Sequence, residues 1–424
     1  MTQTSLAPPN VAGLKQQWHL RVSAPISAQP IVYKGIIYWG DWNGNMHATT
    51  LSGKTLWSTS LGITPKPPAC PYPLVKLGIE STPTIGFING QTVVWVGGGA
   101  GQLVALNASN GSVIWQTHLA TEVGDAIWSS PAYYRGSLYV GVASFQGCPQ
   151  EFGRIVRVSA ATGAVQSAIN FASLVPARCK GPGAWSSPSV DATSNSIFID
   201  TSNDLCNSRY QDGILKLNPS TLAITSSWQV PISQHPADSD MGASPMLFTA
   251  TIGGVQRQLV GAVNKNGVYY VLDRNDLAAG PIWQYRVESQ ATFAVGLGPL
   301  AHNCNNTIST SGWAGGSSPI IVAGVALNSL GNGCIGTLTA LDPATGNPEW
   351  QINLEGGVEG AVTEAPGLVL IGAGTTFDVL SPTDGATLFS YTEPVSKPIT
   401  GLYGAPTSWF WAPPTVSGDV VLAA

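Results

Sequence analysis

Five histidines, six cysteines and a small set of loop acids and amides are the groups with chemistry to offer in this 424-residue chain. His19, His47, His118, His235 and His302 are scattered, without metal-ligand spacing, and no Gly-x-Ser-x-Gly elbow accompanies them. Triad hydrolysis and zinc chemistry therefore lack their residues. The cysteines form no Cys-x-x-Cys pair and no Cys/His cluster, which argues against a structural metal, and no Cys-x-x-Cys-His stands ready to attach a c-type haem. What remains is oxygen and amine chemistry on loops. Asn203 and Asp204 lie in TSND, Asp238 and Asp240 in HPADSDMGASP, and Lys265 in VNKNGVYYVLDR. Trp128, Trp185 and Trp313 stand just ahead of small-residue turns. Each has an ordinary role open to it as well: a packing aromatic, a turn former, a solvated acid, an exposed turn lysine. Tyr403 and Trp409-Phe410-Trp411 add an aromatic group near the C-terminus that packs or lines a cleft.

The elements that must position these residues repeat. GTLTALDPATGNPEW (Gly336 to Trp350) reads as two β-strands around a tight Asp-Pro-Ala-Thr-Gly turn. Versions of it recur at Met46 to Trp57, Leu103 to Trp115, Ile155 to Val165, Ile214 to Trp228, Tyr269 to Trp283 and Phe377 to Phe389. Recurrence at this spacing marks a repeat protein.

A second element precedes each hairpin, a small-residue–Pro pair leading into an apolar run. The prolines are Pro30, Pro83, Pro131, Pro188, Pro245, Pro319, Pro366 and Pro414. Proline lacks an N–H, so the first residue of a strand suits it. Each unit then reads as four antiparallel strands, A to D, and eight units describe an all-β, eight-bladed β-propeller forming one domain over residues 1–424. The last unit stops at Ala424 without a hairpin, while Leu14 to Val22, with Trp18, reads as an orphan D strand. The expectation is that this N-terminal strand completes the last blade with residues 398–424 and closes the ring. The D-strand tryptophans are expected to pack between blades.

In such a meander the A–B and C–D connections share one face, and the B–C and D–A connections the other. The long segments all belong to the second set, so binding is expected there. All six cysteines fall on that face. Adjacency suggests Cys304–Cys334, Cys179–Cys206 and, by remainder, Cys70–Cys148.

Composition agrees with many short strands. Charged residues are only 10%, against about 25% in typical soluble proteins, and turn residues make up the balance. With a net charge of −5 and no basic run, a nucleic-acid partner is not expected. No apolar stretch approaches the roughly 18 to 20 residues of a membrane span. An even set of loop cysteines points to an oxidising compartment, secreted or periplasmic.

The repeat as a whole, SSPxV…GxxYVG…GxLxALDxxTGxxxW, resembles the pyrroloquinoline quinone (PQQ) propeller repeat along nearly the whole chain. Quinoprotein alcohol dehydrogenases, polyvinyl-alcohol dehydrogenase among them, share it with the cofactor-free scaffold BamB. The resemblance implies roles for particular residues. Trp185 matches the tryptophan under the quinone ring, and Asn203 the asparagine that binds the cofactor's calcium. Asp240, or else Asp238, falls at the catalytic aspartate, which also neighbours the metal. Lys265 matches the basic residue that reaches the quinone oxygens.

Such a set suits the chemistry: an aromatic platform for a planar ring, hard oxygen ligands for Ca²⁺, a carboxylate to take the alcohol proton and an ammonium for developing negative charge. The chain also departs from the pattern. No acid lies around Pro25-Ile26-Ser27-Ala28, where the family keeps a glutamate, and no adjacent-cysteine pair is present. Without a haem motif, electrons would pass to a separate acceptor. Sequence thus leads to a PQQ- and calcium-dependent dehydrogenase acting on a small alcohol, polyol or polymer. The alternatives are a non-catalytic propeller that binds a protein, polymer or cell-surface component, and, more remotely, a lyase or other enzyme that reuses the central pocket without a quinone.

Overall fold

The fold is that of a computed structural model, which describes residues 5–68, 70, 76–145, 153–176, 179–204, 206–235, 239–287, 310–314, 320–326, 336–354, 358, 360–394 and 410–424. The chain is organised as two compact units, residues 17–232, and residues 1–16 with 233–424.

The hairpin turn explains the local structure. In the sheet that starts at Thr84, the strands Gln102–Asn107 and Val113–His118 are joined by Ala108-Ser109-Asn110-Gly111-Ser112. Asn107 Oδ1 accepts the Ser109 amide (2.9 Å) and the Gly111 amide returns to the Asn107 carbonyl (2.9 Å). Gly111 sits at φ +72°, and the pairing register shifts between Val113 and Trp115, a bulge set by a left-handed residue at the end of the turn. The same shift occurs between the third and fourth strands of all seven multi-stranded sheets.

Packing uses the same turn. A Cβ on Gly111 would stand 2.6 Å from the Trp57 ring of the preceding sheet, and the Trp57 indole donates to the Ala108 carbonyl of the turn (3.0 Å). Trp115 on Ala160, Trp283 on Pro343 and Trp350 on Pro382 repeat that bond at 3.1, 3.2 and 2.8 Å. The expected tryptophan packing between neighbouring sheets is therefore present, and one glycine requirement serves both backbone and indole.

In residues 17–232 the meanders are Ile31–Tyr33 to Thr55–Ser60, Thr84–Ile88 to Val113–His118, Ala132–Tyr134 to Val165–Asn170, and Ser189–Asp191 to Ile224–Gln229. The third carries a fifth strand, Asp125–Ala126, paired to Ala143 and Ser144. The other unit holds Met246–Ile252 to Pro281–Arg286, Thr310–Ala314 to Pro348–Leu354, and Thr363–Ala365 to Thr387–Thr392, with the two-stranded pair Thr415–Ser417 and Val420–Leu422. Adjacent sheets share apolar cores: Trp95 and Leu103 pack with Val140 and Val156, and Leu338 and Trp350 with Val369 and Ile371. Inner strands are consequently buried on both faces, whereas the outermost strand alternates, as in Val113–His118.

Several expectations need correction. The chain is all-β with four-stranded antiparallel blades, but among the described residues six sheets have four strands and one has five, where eight blades were expected. Leu14 to Val22 forms no strand. Leu6, Val11 and Leu14 instead join the core of Leu368, Phe377 and Val421 through apolar packing, following the short helix Pro8–Val11. Trp18 still behaves as a D-strand tryptophan: its indole donates to Leu51 O (2.7 Å) and lies over Gly53. Side-chain docking without a ladder is what the periodic reading could not separate from a strand.

Pro366 does not begin a strand; it occupies the turn between Thr363–Ala365 and Leu368–Ala373, where its fixed φ suits a bend. In the preceding sheet Thr310–Ala314 is the first strand and Ile320–Ala326 the second, so Val287 to Gly316, expected as one long D–A connection, contains a strand. Pro319 itself, Cys148, Cys304, Cys334 and Asp238 lie outside the described residues.

Candidate functional site

Lys265 and Asp240, chosen from separate loops of the sequence, are bonded to one another. Asn264-Lys265-Asn266-Gly267 makes a tight turn between Val255–Val263 and Val268–Asp273. Asn264 Oδ1 accepts the Asn266 amide (2.8 Å), Asn266 Oδ1 accepts the Val268 amide (2.9 Å), and Gly267 at φ +80° returns its N–H to Asn264 O (2.9 Å). Asn and Gly at these positions specify the turn. Its free edge grips the incoming loop: Met241 bridges Asn264, the Asn264 amide donates to Ser239 O, and the Lys265 amide donates to Asp240 O (2.9 Å).

With both backbones fixed, Lys265 Nζ donates to Asp240 Oδ2 at 2.7 Å. The side chains are only 11% and 13% exposed, so Lys265 is not the exposed turn residue its tetrapeptide suggests. Behind the turn, Tyr270 OH donates to Gln234 Oε1 (2.7 Å) and receives the Asn266 amide (2.8 Å). Burial pushes the Tyr270 hydroxyl upward, so it stays neutral. Arg286 Nη1 donates to Asn266 O (2.9 Å).

Trp185 and Asn203 belong to the other unit, on loops fastened to each other. Gly183 N–H donates to Ser202 Oγ (2.6 Å) and Ser202 N–H to Gly183 O (3.0 Å). Three residues on from Gly183, Ser186 Oγ accepts the Asp200 amide (3.1 Å). Cys179–Cys206 bridges the same two loops, with Cα atoms 5.8 Å apart, as expected. Asp204 shapes the Asn203 loop by accepting the amides of Cys206 (2.8 Å) and Ser208 (3.1 Å). Trp185 and Asn203 are both half-buried.

The expected Cys70–Cys148 bridge is not formed: Cys70 is a free, buried thiol. The pairing by remainder assumed that every cysteine is oxidised.

Two acids went unnoticed in the sequence. Asp200, at the end of Ser196–Asp200, is fully buried, and neither carboxylate oxygen has a hydrogen-bond partner. Burial pushes its carboxyl well above the usual range. A signal existed: Gly40 ends the second strand of its sheet and Gly97, Gly141 and Gly372 lie within the second strands of theirs, where Asp200 stands here. Glu80 lies two residues before Thr82-Pro83. Its Oε2 accepts Ser27 Oγ (2.5 Å), and Ser27 Oγ in turn accepts the Trp42 indole (2.8 Å). An acid therefore does meet the Ser27 segment, from another part of the chain. Burial, opposed by hydrogen bonds from Ser27 and Trp42, raises Glu80 to about 8. No group of three His, Cys, Asp or Glu side chains arranged for a metal occurs among the described residues.

Residues 12–221 match the sequence family described as outer membrane protein assembly factor BamB. A polyvinylalcohol dehydrogenase of a Pseudomonas species is 25% identical over 365 residues, 75% of this chain; the chain spans 55% of that relative's length. Among solved structures, the quinohemoprotein alcohol dehydrogenase of Comamonas testosteroni superposes with a TM-score of 0.71 at 17% identity, covering 99% of this chain and 73% of its own. BamB of Moraxella catarrhalis superposes at 0.55 and 13% identity, covering 95% and 94%. These likenesses show a shared fold. Residues 12–221 thus match a repeat family described by BamB, and the fold of the chain is similar to that of a quinohemoprotein alcohol dehydrogenase and of BamB.

Proposed function

We propose that the protein is a quinoprotein-like dehydrogenase that oxidises an alcohol or polyol. The observation that supports it most is the buried Lys265–Asp240 pair. The reading draws further on the likeness to polyvinylalcohol dehydrogenase. A bound quinone would supply the two-electron acceptor.

The residue types suit such a group. In residues 233–424 Lys265 offers a fixed ammonium for a quinone oxygen; Trp185, half-buried in the other unit, is the ring platform only as the resemblance implies. For calcium the fit is poor. Asn203 and Asp240 are oxygen donors, but calcium takes about 6 to 8 oxygens, and Asp240 Oδ2 is engaged by Lys265.

The protein's own side chains divide the work. Asp240, hydrogen-bonded to Lys265 Nζ, is the base of this reading and takes the proton of the substrate hydroxyl. Lys265 holds Asp240 in place and stabilises negative charge that develops on oxygen. Low exposure at both side chains limits competition from water. Asp238 is the reserve base of this reading. Electrons leave to a separate acceptor, and a secreted or periplasmic setting keeps Cys179–Cys206 oxidised.

A second reading, an assembly or binding scaffold, draws on the BamB family match and on the near-equal lengths of this chain and the Moraxella protein. Titration with PQQ and Ca²⁺, followed by absorption and by dye-linked oxidation of short alcohols and polyols, separates the two. Binding with turnover supports the dehydrogenase; saturation with neither favours the scaffold.

A further inference from the structure

The turns between first and second strands set charge on one end of the sheets in residues 17–232. Lys34-Gly35, Asn89-Gly90 and Arg135-Gly136 each pass through two left-handed residues, at φ 50° and 76°, 49° and 80°, and 47° and 80°. Asn and Gly take that geometry readily, as Asn89-Gly90 does. Lysine and arginine adopt it at a backbone cost that the turn itself does not require. A Cβ on Gly35, Gly90 or Gly136 would meet nothing, so the tips stand clear of the sheets. Lys54 lies on the same end, in the turn between Asn45–Thr50 and Thr55–Ser60. All three cations are exposed.

Aromatic rings accompany the cations. Phe87 and Tyr133, on the first strands Thr84–Ile88 and Ala132–Tyr134, are 57% and 48% exposed. Tyr33 meets Phe87 edge-on, with ring centroids 6.4 Å apart. Lys34 Nζ stands 5.4 Å over the Tyr33 ring, and the Arg135 guanidinium 5.0 Å over that of Tyr134. Acids avoid this end. Among the described residues of this unit the one acid there is Asp191, which is buried and accepts the Thr193 and Ser194 amides and the Ser194 hydroxyl. The others, from Asp41 to Asp212, stand on the opposite connections or at the strand ends that open into them. A chain of net charge −5 therefore presents one basic, aromatic end.

We propose that this end docks on an anionic phospholipid bilayer, with Phe87 and Tyr133 entering the headgroup layer and Lys34, Lys54 and Arg135 meeting lipid phosphates. Charge complementarity selects the occupant. The cations stand on the turns of different sheets, which suits a surface of many phosphates better than one small anion. Amphipathic rings beside basic side chains are the pairing that settles at a membrane interface without crossing it. The loops that hold Trp185 and Asn203 lie on the opposite connections of the same unit, so docking leaves them free. The proposal is independent of whether a quinone binds.

The test is co-sedimentation with large vesicles of phosphatidylcholine alone or mixed with phosphatidylglycerol, at low and high salt. Wild type is expected to sediment with the phosphatidylglycerol vesicles only, and to be released as salt screens the contact. Lys34→Gln, Lys54→Gln and Arg135→Gln should each lower partitioning about fivefold, the share of one basic residue near an anionic leaflet. Phe87→Ser should lower it about tenfold. Arg209→Gln removes the same charge from an exposed residue on the opposite connections and is expected to bind as wild type. Thermal melts establish that each variant is folded. Absence of phosphatidylglycerol-dependent sedimentation, or an equal loss in Arg209→Gln, overturns the proposal, as does undiminished binding by the Lys34, Arg135 and Phe87 variants. Retention on heparin without sedimentation would assign the face to a soluble polyanion and likewise overturn it.

Discussion

Lys265 Nζ lies 2.7 Å from Asp240 Oδ2, and the same two residues are joined through their backbones, the Lys265 amide meeting the Asp240 carbonyl at 2.9 Å. Double attachment leaves the carboxylate little freedom to leave its partner. Replacing Lys265 by Met would strand a mostly buried carboxylate, at a cost of about 3 kcal/mol. Chemical denaturation should show that loss for Lys265→Met and a smaller one for the double variant Lys265→Met, Asp240→Asn. Additive losses would mean that the pair is not coupled.

The Cys179–Cys206 bridge closes a loop with a sequence separation of 27 residues and ties the Trp185 loop to the Asn203 loop. Paired Cys→Ser replacement should cost about 3.5 kcal/mol, the chain-entropy value for a loop of this length. Reduction of wild type with thiol should lower the melting temperature to match. An unchanged melt would show that the Gly183–Ser202 hydrogen bonds suffice.

Gly111→Ala tests the turn that makes the repeat. The position has φ +72°, and the new methyl would meet the Trp57 ring at 2.6 Å. Strain and displacement together should cost about 2 to 4 kcal/mol. Gly136, also at positive φ but with open space around its Cβ, should lose only the backbone part, about 1 kcal/mol. Equal losses would remove the indole from the explanation.

Asp200 and Glu80 shape the pH dependence of stability. Both are raised in the folded state, chiefly by burial. The folded protein therefore holds more protons than the unfolded chain between the ordinary carboxylate pKa and the raised one, and stability falls as pH rises through that window. Glu80 contributes fully below its ordinary value of 4.5, and that contribution is lost as pH passes about 8. Asp200→Asn and Glu80→Gln should each flatten the decline in melting temperature toward alkaline pH. Stability that rises across the window in wild type would contradict the burial of these groups as neutral acids.

The regular part of the molecule was legible because it is local. An Asp or Asn opening a five-residue turn with glycine at its end, followed by a tryptophan, fixes the bulge, the hairpin and the docking of the next sheet. The ends of the array were less legible. Leu14 and Trp18 have the spacing of a strand, yet they are held by apolar contacts and one indole bond. Pro366 looked like a strand start, but turn and strand both accept a fixed φ. At the site, Lys265 and Asp240 were found singly, and only the Asn264 turn shows that they meet. Glu80 and Asp200 stayed hidden because burial, not residue type or spacing, is what makes an acid unusual.

The most direct test of the dehydrogenase reading compares wild type with Asp240→Asn after loading with PQQ and Ca²⁺, measuring cofactor affinity by fluorescence and turnover by dye-linked alcohol oxidation. Loss of the proton acceptor should lower kcat by about 100-fold or more while cofactor affinity changes by less than about tenfold. Turnover that survives in Asp240→Asn, or wild type that binds the cofactor and oxidises no alcohol, would contradict the account.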